Sequence, residues 1–168
     1  MKTILFSLLV LSSQTAFAHD MPPVAMPKEF DTLKTLVGTW EGTSTMEGKE
    51  EKFNVEYKLT SGGTALEERT MIGSPGEMVT MYHKSGKTLA VTHFCALGNQ
   101  PMMPLKKATD KSLAFEMTKP LGISSLKEMH MHAVKLTFVD ADTVKQDWTN
   151  YMNGKTGESV AFTLKRKK

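Results

Sequence analysis

A chain of 168 residues with 21 Lys and Arg against 18 Asp and Glu has the length of one ordinary domain. Its formal net charge of +3 is too small to select nucleic acid as a partner. The single cysteine, Cys95, excludes an internal disulfide framework, so stability has to come from a packed core.

The first segment reads as an address. Lys2 supplies a positive start, Ile4 to Leu11 are apolar except for Ser7, and Ala16-Phe17-Ala18 gives the small-x-small pattern of a cleavage site. The apolar run is about ten residues where a membrane span needs about twenty, so we read a secretory signal and no span. The expected mature chain is periplasmic or secreted after cleavage following Ala18 and is not membrane-spanning. No cysteine at that site offers a lipid anchor. The expected organisation is a signal peptide over 1–18, a flexible Pro-containing leader over 19–27 and one domain over 28–168.

The domain opens with a helical stripe. Phe30, Leu33, Leu36 and Val37 place apolar residues on one face of a short helix over Lys28 to Val37, with Pro27 before it and Gly38 after it. Beyond Gly38 the period is two. Phe53, Val55, Tyr57 and Leu59 alternate with polar residues, as do Leu113, Phe115 and Met117, then Val134, Leu136 and Phe138, then Val144, Gln146 and Trp148, then Val160, Phe162 and Leu164. Short turn signals separate them at Glu47-Gly48-Lys49, Ser74-Pro75-Gly76, Lys84 to Lys87, Asp140-Ala141-Asp142 and Asn153-Gly154-Lys155. The stretch 98–110, with Pro101 and Pro104, is the least regular. This pattern predicts an all-β fold: a single antiparallel up-and-down β-barrel of about 9–10 strands with a short N-terminal helix. Closure would remove the exposed edges. The basic run Lys165 to Lys168 reads as a solvated chain end.

Alternation also predicts what looks inward. Leu89 and Val91 carry His93 and Cys95 onto their face, and Val134, Leu136 and Phe138 carry His132 and His130 onto theirs. Tyr57 and Gln146 follow by the same rule, with Trp40 and Trp148 as aromatic walls. His83, beside a turn, is expected at the surface. Several polar groups on one inner face imply either a mutual hydrogen-bond network or a solvated cavity, since each costs roughly 1–3 kcal/mol unpaired. The candidate ligand-binding set is therefore Trp40, Tyr57, His93, Cys95, His130, His132, Gln146 and Trp148. His93, His130 and His132 are also the candidate ligands of a transition metal. Met21, Met26, Met102, Met103, Met129 and Met131 lie near histidines or in irregular stretches, and thioether with imidazole suits copper. The alternative for these methionines is gap filling in the core.

Catalysis is not expected. Cys95 has no visible acidic partner, Glu67 and Glu68 point to opposite faces of a strand, and no Gly-x-Gly-x-x-Gly or phosphate-loop motif occurs.

Leu36-Val37-Gly38-Thr39-Trp40-Glu41-Gly42, following a short helix, resembles the Gly-x-Trp opening of calycin-type barrels, the lipocalins and nitrobindin-like proteins. That resemblance implies that Trp40 closes the barrel floor and that Arg166 or Lys165 covers it. Nitrobindin-like barrels hold haem through a histidine late in the chain, whereas no histidine follows His132 here. His93 to Pro101, Met129-His130-Met131-His132, Val139 to Asp142 and Trp148 are similar to a family of small exported bacterial barrels of uncharacterised function, over roughly Leu36 to Leu164. The resulting expectation is a periplasmic barrel binding a small hydrophobic or amphipathic molecule, with no cofactor required. Two other readings stay open: a metal- or haem-binding barrel using the interior histidines, and a dry structural or interaction module.

Overall fold

The computed structural model describes residues 24–46 and 49–168. The expected signal sequence and the first part of the leader lie outside the described residues. The helix α1 is Glu29–Lys34, shorter than its apolar stripe suggests. Thr35, Leu36 and Val37 donate their N–H groups to Thr32, Leu33 and Lys34, so the last turn tightens to three-residue bonds. Gly38 then leaves at φ 130°, a backbone conformation that disfavours a Cβ. Phe30, Leu33 and Leu36 are buried.

Ten strands follow: β1 (Gly38–Met46), β2 (Lys49–Thr60), β3 (Ala65–Thr70), β4 (Met78–Ser85), β5 (Thr88–Phe94), β6 (Met102–Thr109), β7 (Ser112–Glu116), β8 (His130–Asp140), β9 (Thr143–Met152) and β10 (Lys155–Arg166). Each pairs antiparallel with its chain neighbours, and β1 also pairs with β10, which closes the barrel. The predicted all-β up-and-down class is what the chain adopts. No helix among the described residues is long and apolar enough to cross a membrane.

The stretch 98–110 departs from its expected irregularity, because β6 occupies most of it. Pro104 pairs with Ala90, and a bulge falls between Leu105 and Lys107. The longest connection between strands is instead 117–129, between β7 and β8. It is tied down by backbone bonds from Met102 N to Leu121 O and from Asn153 N to Lys127 O.

The barrel has two unlike ends. At the floor, Trp40 at the start of β1 donates Nε1–H to Leu36 O at 2.8 Å, and the Arg166 guanidinium lies 4.2 Å over its ring. Arg166 also donates to Val37 O and Thr35 O, at 2.9 and 2.6 Å. Gly42 leaves room for the Phe53 ring, which an added Cβ would meet at 2.3 Å, and that ring packs edge-on against Phe162. At the mouth stand the segments 71–77, 95–101 and 117–129 and the 153–154 turn. The core between them includes Val55, Leu66, Tyr82, Leu89, Val91, Phe115, Leu136, Val144 and Leu164.

Candidate functional site

The barrel interior is apolar near the floor and polar toward the mouth, and the register explains the change. Tyr57 on β2 pairs with Glu68 on β3, Glu68 with Thr80 on β4, and Thr80 with His93 on β5. Paired residues share a face, so this row runs across four inner walls. All four are buried.

Glu68 is the centre of the arrangement. Its carboxylate accepts from Thr70 Oγ1 at 2.8 Å, from Tyr82 OH at 2.7 Å and from Gln146 Nε2 at 3.0 and 3.1 Å. Gln146 Nε2 also donates to Tyr57 OH at 2.7 Å, and Trp148 Nε1–H donates to Gln146 Oε1 at 3.0 Å. The donors around the carboxylate are all neutral, and among the described residues it forms no salt bridge. Burial first, and the neighbouring Glu68 charge second, push the phenols of Tyr57 and Tyr82 well above their ordinary pKa. Both stay protonated and serve as hydrogen-bonding groups.

Above Glu68 lies a hollow of about 30 Å³, room for about two waters. Thr70, Thr80, His93, Trp148, Met78 and Met131 are among the side chains that line it. The His93 ring packs on Trp148 with centroids 4.7 Å apart, and its Nδ1 lies 2.8 Å from Thr80 Oγ1. Its Nε2 is buried with no partner.

The expected ligand-binding set is thus partly assembled. His93 and Trp148 line the hollow, while Tyr57 and Gln146 belong to the network around Glu68, which lines it too. Trp40 sits at the floor. Cys95 follows the end of β5 in a rim turn closed by Cys95 N to Asn99 O and Gly98 N to Cys95 O, where it is half-buried and outside the lining. Alternation stops with the strand, so the inward rule does not extend to it.

His130 and His132 are redirected by a bulge. Met131 pairs with Asn150 and Ala133 with Thr149, which leaves His132 as the unpaired extra residue. Inward alternation restarts on Met131, which lines the hollow, and the two imidazoles take the face of Tyr151. There His132 stacks on Tyr151 at 3.6 Å, and His130 Nε2 lies 3.0 Å from His132 Nδ1. The segment 117–129 covers them: His130 Nδ1 lies 2.6 Å from Glu128 O, and Asn99 holds Glu128 Oε1 and Met129 O at 2.8 Å. Burial, then the adjacent His130, holds the His132 pKa below the ordinary value. Both histidines are buried as expected, but on the outer face and apart from His93. Among the described residues no three His, Cys, Asp or Glu side chains gather as metal ligands. His83 is half-buried and bonded to Thr92 Oγ1 at 2.9 Å.

Glu68, Thr70, Met78, Thr80 and Tyr82 were absent from the expected set. The alternation Leu66, Glu68, Thr70 against Glu67 and Arg69 was the signal available for two of them.

Burial lowers the His93 pKa to about 4. From about pH 6.5 down to 4 the unfolded chain takes up a proton here that the folded chain refuses. Stability should therefore fall as pH falls through that window and be flat above it, losing roughly 3 kcal/mol at most. Urea unfolding at stepped pH checks this. His93→Phe should flatten the acid limb, although His132 contributes in the same direction; an unchanged limb removes His93 as its source.

Fold and interior together define a closed ten-stranded antiparallel β-barrel of unknown function, with a buried carboxylate network and a small hollow near one end. A crystal structure of a protein of unknown function from the DUF3598 family, from Nostoc punctiforme, is similar to it at TM-score 0.53 and 16% identity, over 80% of this chain. This chain spans 48% of that protein, and the likeness concerns the fold alone. No protein-family model matches the chain, and no curated protein matches it.

Proposed function

We propose that this chain is an exported, non-catalytic β-barrel of the calycin type that binds a small ligand in the hollow beside His93 and Trp148. The observation that carries the reading is His93, which lines that hollow and whose buried Nε2 has no partner. Leaving such an atom unpaired costs roughly 1–3 kcal/mol, so a ligand group that bonds it recovers stability. Trp148, Val160 and Phe162 give the lining its apolar part, and Met78 and Met131 can swing to admit a guest. A ligand of a few heavy atoms, or the tip of a larger amphipathic one, suits that space.

The calycin-type reading draws support from the floor, where Trp40 lies under Arg166. Export draws support from Lys2, the apolar run and Ala16-Phe17-Ala18. The non-catalytic reading draws support from the chemistry: the Glu68 oxygens are already engaged, both phenols are held protonated, and Cys95 is off the hollow.

Two measurements test it. Propanol and propylamine, as small amphipathic probes, should change tryptophan emission saturably, and His93→Phe should abolish the change. A linear response, or one equal in the variant, sinks the ligand site. Sequencing the exported chain should begin at His19; an intact Met1 on the exported protein overturns the cleavage.

A further inference from the structure

The size of the hollow makes its chemistry selective. Of its polar lining groups, Glu68 is saturated by Thr70, Tyr82 and Gln146, and only the His93 Nε2 is left buried without a partner. Two thioether side chains join it. Met78 stands two residues before Thr80 on the same face of β4, and Thr80 is the cross-strand partner of His93. Met131 stands on β8 beside Trp148, through its pairing with Asn150 two residues further along β9. In the ring of ten strands β4 and β8 are four places apart, so the two methionines come from nearly facing walls. The indole of Trp148 lies against the imidazole between them.

We infer that His93, Met78 and Met131 form a site for one soft monovalent metal ion, copper(I), held beside Trp148. This rests on the hollow being a binding site and names what it binds. Thioether sulfur with neutral imidazole is a ligand set that favours copper(I) over the hard cations, which require oxygen. The hollow of about 30 Å³ admits a bare ion readily. Trp148, which lines the hollow, adds an aromatic ring of the kind that attracts a cation. Glu68, without a cationic partner among the described residues, also lines the hollow. The proton placement also agrees. The tautomer with Nδ1–H donated to Thr80 Oγ1 leaves a free lone pair on Nε2, the buried nitrogen without a partner. Of the three histidines expected as metal ligands only His93 takes part, because the bulge in β8 removes His130 and His132 and turns Met131 in.

The test is anaerobic titration of the mature protein with copper(I) against a chromophoric chelator, repeated with silver(I) as a redox-inert stand-in. One equivalent should bind well below micromolar dissociation constant and quench tryptophan emission. Met78→Leu and Met131→Leu keep volume and should leave thermal unfolding nearly unchanged. Each should weaken binding by at least about tenfold, as expected for a lost ligand, and His93→Phe should abolish it. Binding weaker than micromolar, or tight binding that none of the three substitutions alters, overturns the site; the latter places the ion on His130 and His132 or on the expected amino terminus at His19. Failure is separable from that of the broader reading. If propanol and propylamine bind and neither ion does, the assignment of copper(I) falls and the ligand-binding hollow stands. If nothing binds, both fall.

Discussion

Glu68→Ala should lower stability by about 3–5 kcal/mol, because it breaks a buried polar network on one side only. The carboxylate now receives Thr70, Tyr82 and Gln146. Without it the Tyr82 phenol and the Thr70 hydroxyl remain buried with no acceptor, and the Gln146 amide keeps only Tyr57 OH. In thermal unfolding the loss should appear as a fall on the order of 10 °C for a domain of this size. A partner change distinguishes network from cavity. Glu68→Leu combined with Tyr82→Phe removes donor and acceptor together, so it should cost less than the sum of the single changes, by at least about 0.5 kcal/mol. Strict additivity, or a loss under about 1 kcal/mol for Glu68→Ala, would mean that the carboxylate does not organise the interior.

That prediction concerns a residue the sequence did not bring forward, and the reason is physical. Hydrophobic alternation identifies strands whose inner face is apolar, and it does so well for β2, β7, the second half of β8, β9 and β10. Val55 and Tyr57, Leu113 and Phe115, Leu136, Val144, Trp148 and Leu164 are all buried. On β4 the signal is inverted: Met78, Thr80 and Tyr82 look inward while Val79 and Met81 are half-exposed on the outer face. A strand whose polar residues face a polar interior resembles, in sequence, one lying the other way round. On β8 the fault is different. Every second residue from His130 to Leu136 is buried, so the burial period is unbroken, yet the bulge at His132 changes which side the first turn of the pattern faces. Period two survives as burial and fails as direction, because the 117–129 segment covers the outer face just there. A bulge leaves no mark on the hydrophobic pattern when both faces are covered. Sequence reasoning therefore found His93 and Trp148, missed the lining residues on β3 and β4, and misassigned the face of the two imidazoles at the bulge.

The floor, by contrast, was legible, and it yields the other large effect. Trp40→Ala should destabilise the barrel by about 3–5 kcal/mol. The indole is 1% exposed, meets Tyr57 edge-on, holds Leu36 O through Nε1 and carries Arg166 on its face. Its removal opens a cavity beneath α1 and frees the peptide that α1 is anchored by. Arg166→Ala should cost less, about 2 kcal/mol, through lost bonds to Val37 O and Thr35 O and a lost cation–π contact. These two residues act on one another, so the double variant should fall short of the summed losses. Chemical denaturation of the four proteins measures this directly. Should Arg166→Ala cost as much in the Trp40→Ala background as in the parent, the guanidinium holds the chain end alone and the indole is an ordinary core residue. Should the coupling appear, the floor is a single latch joining the last turn of α1, the first strand and the last. Its integrity would then be a condition for the hollow at the far end, since β1 and β10 share the seam that closes the barrel.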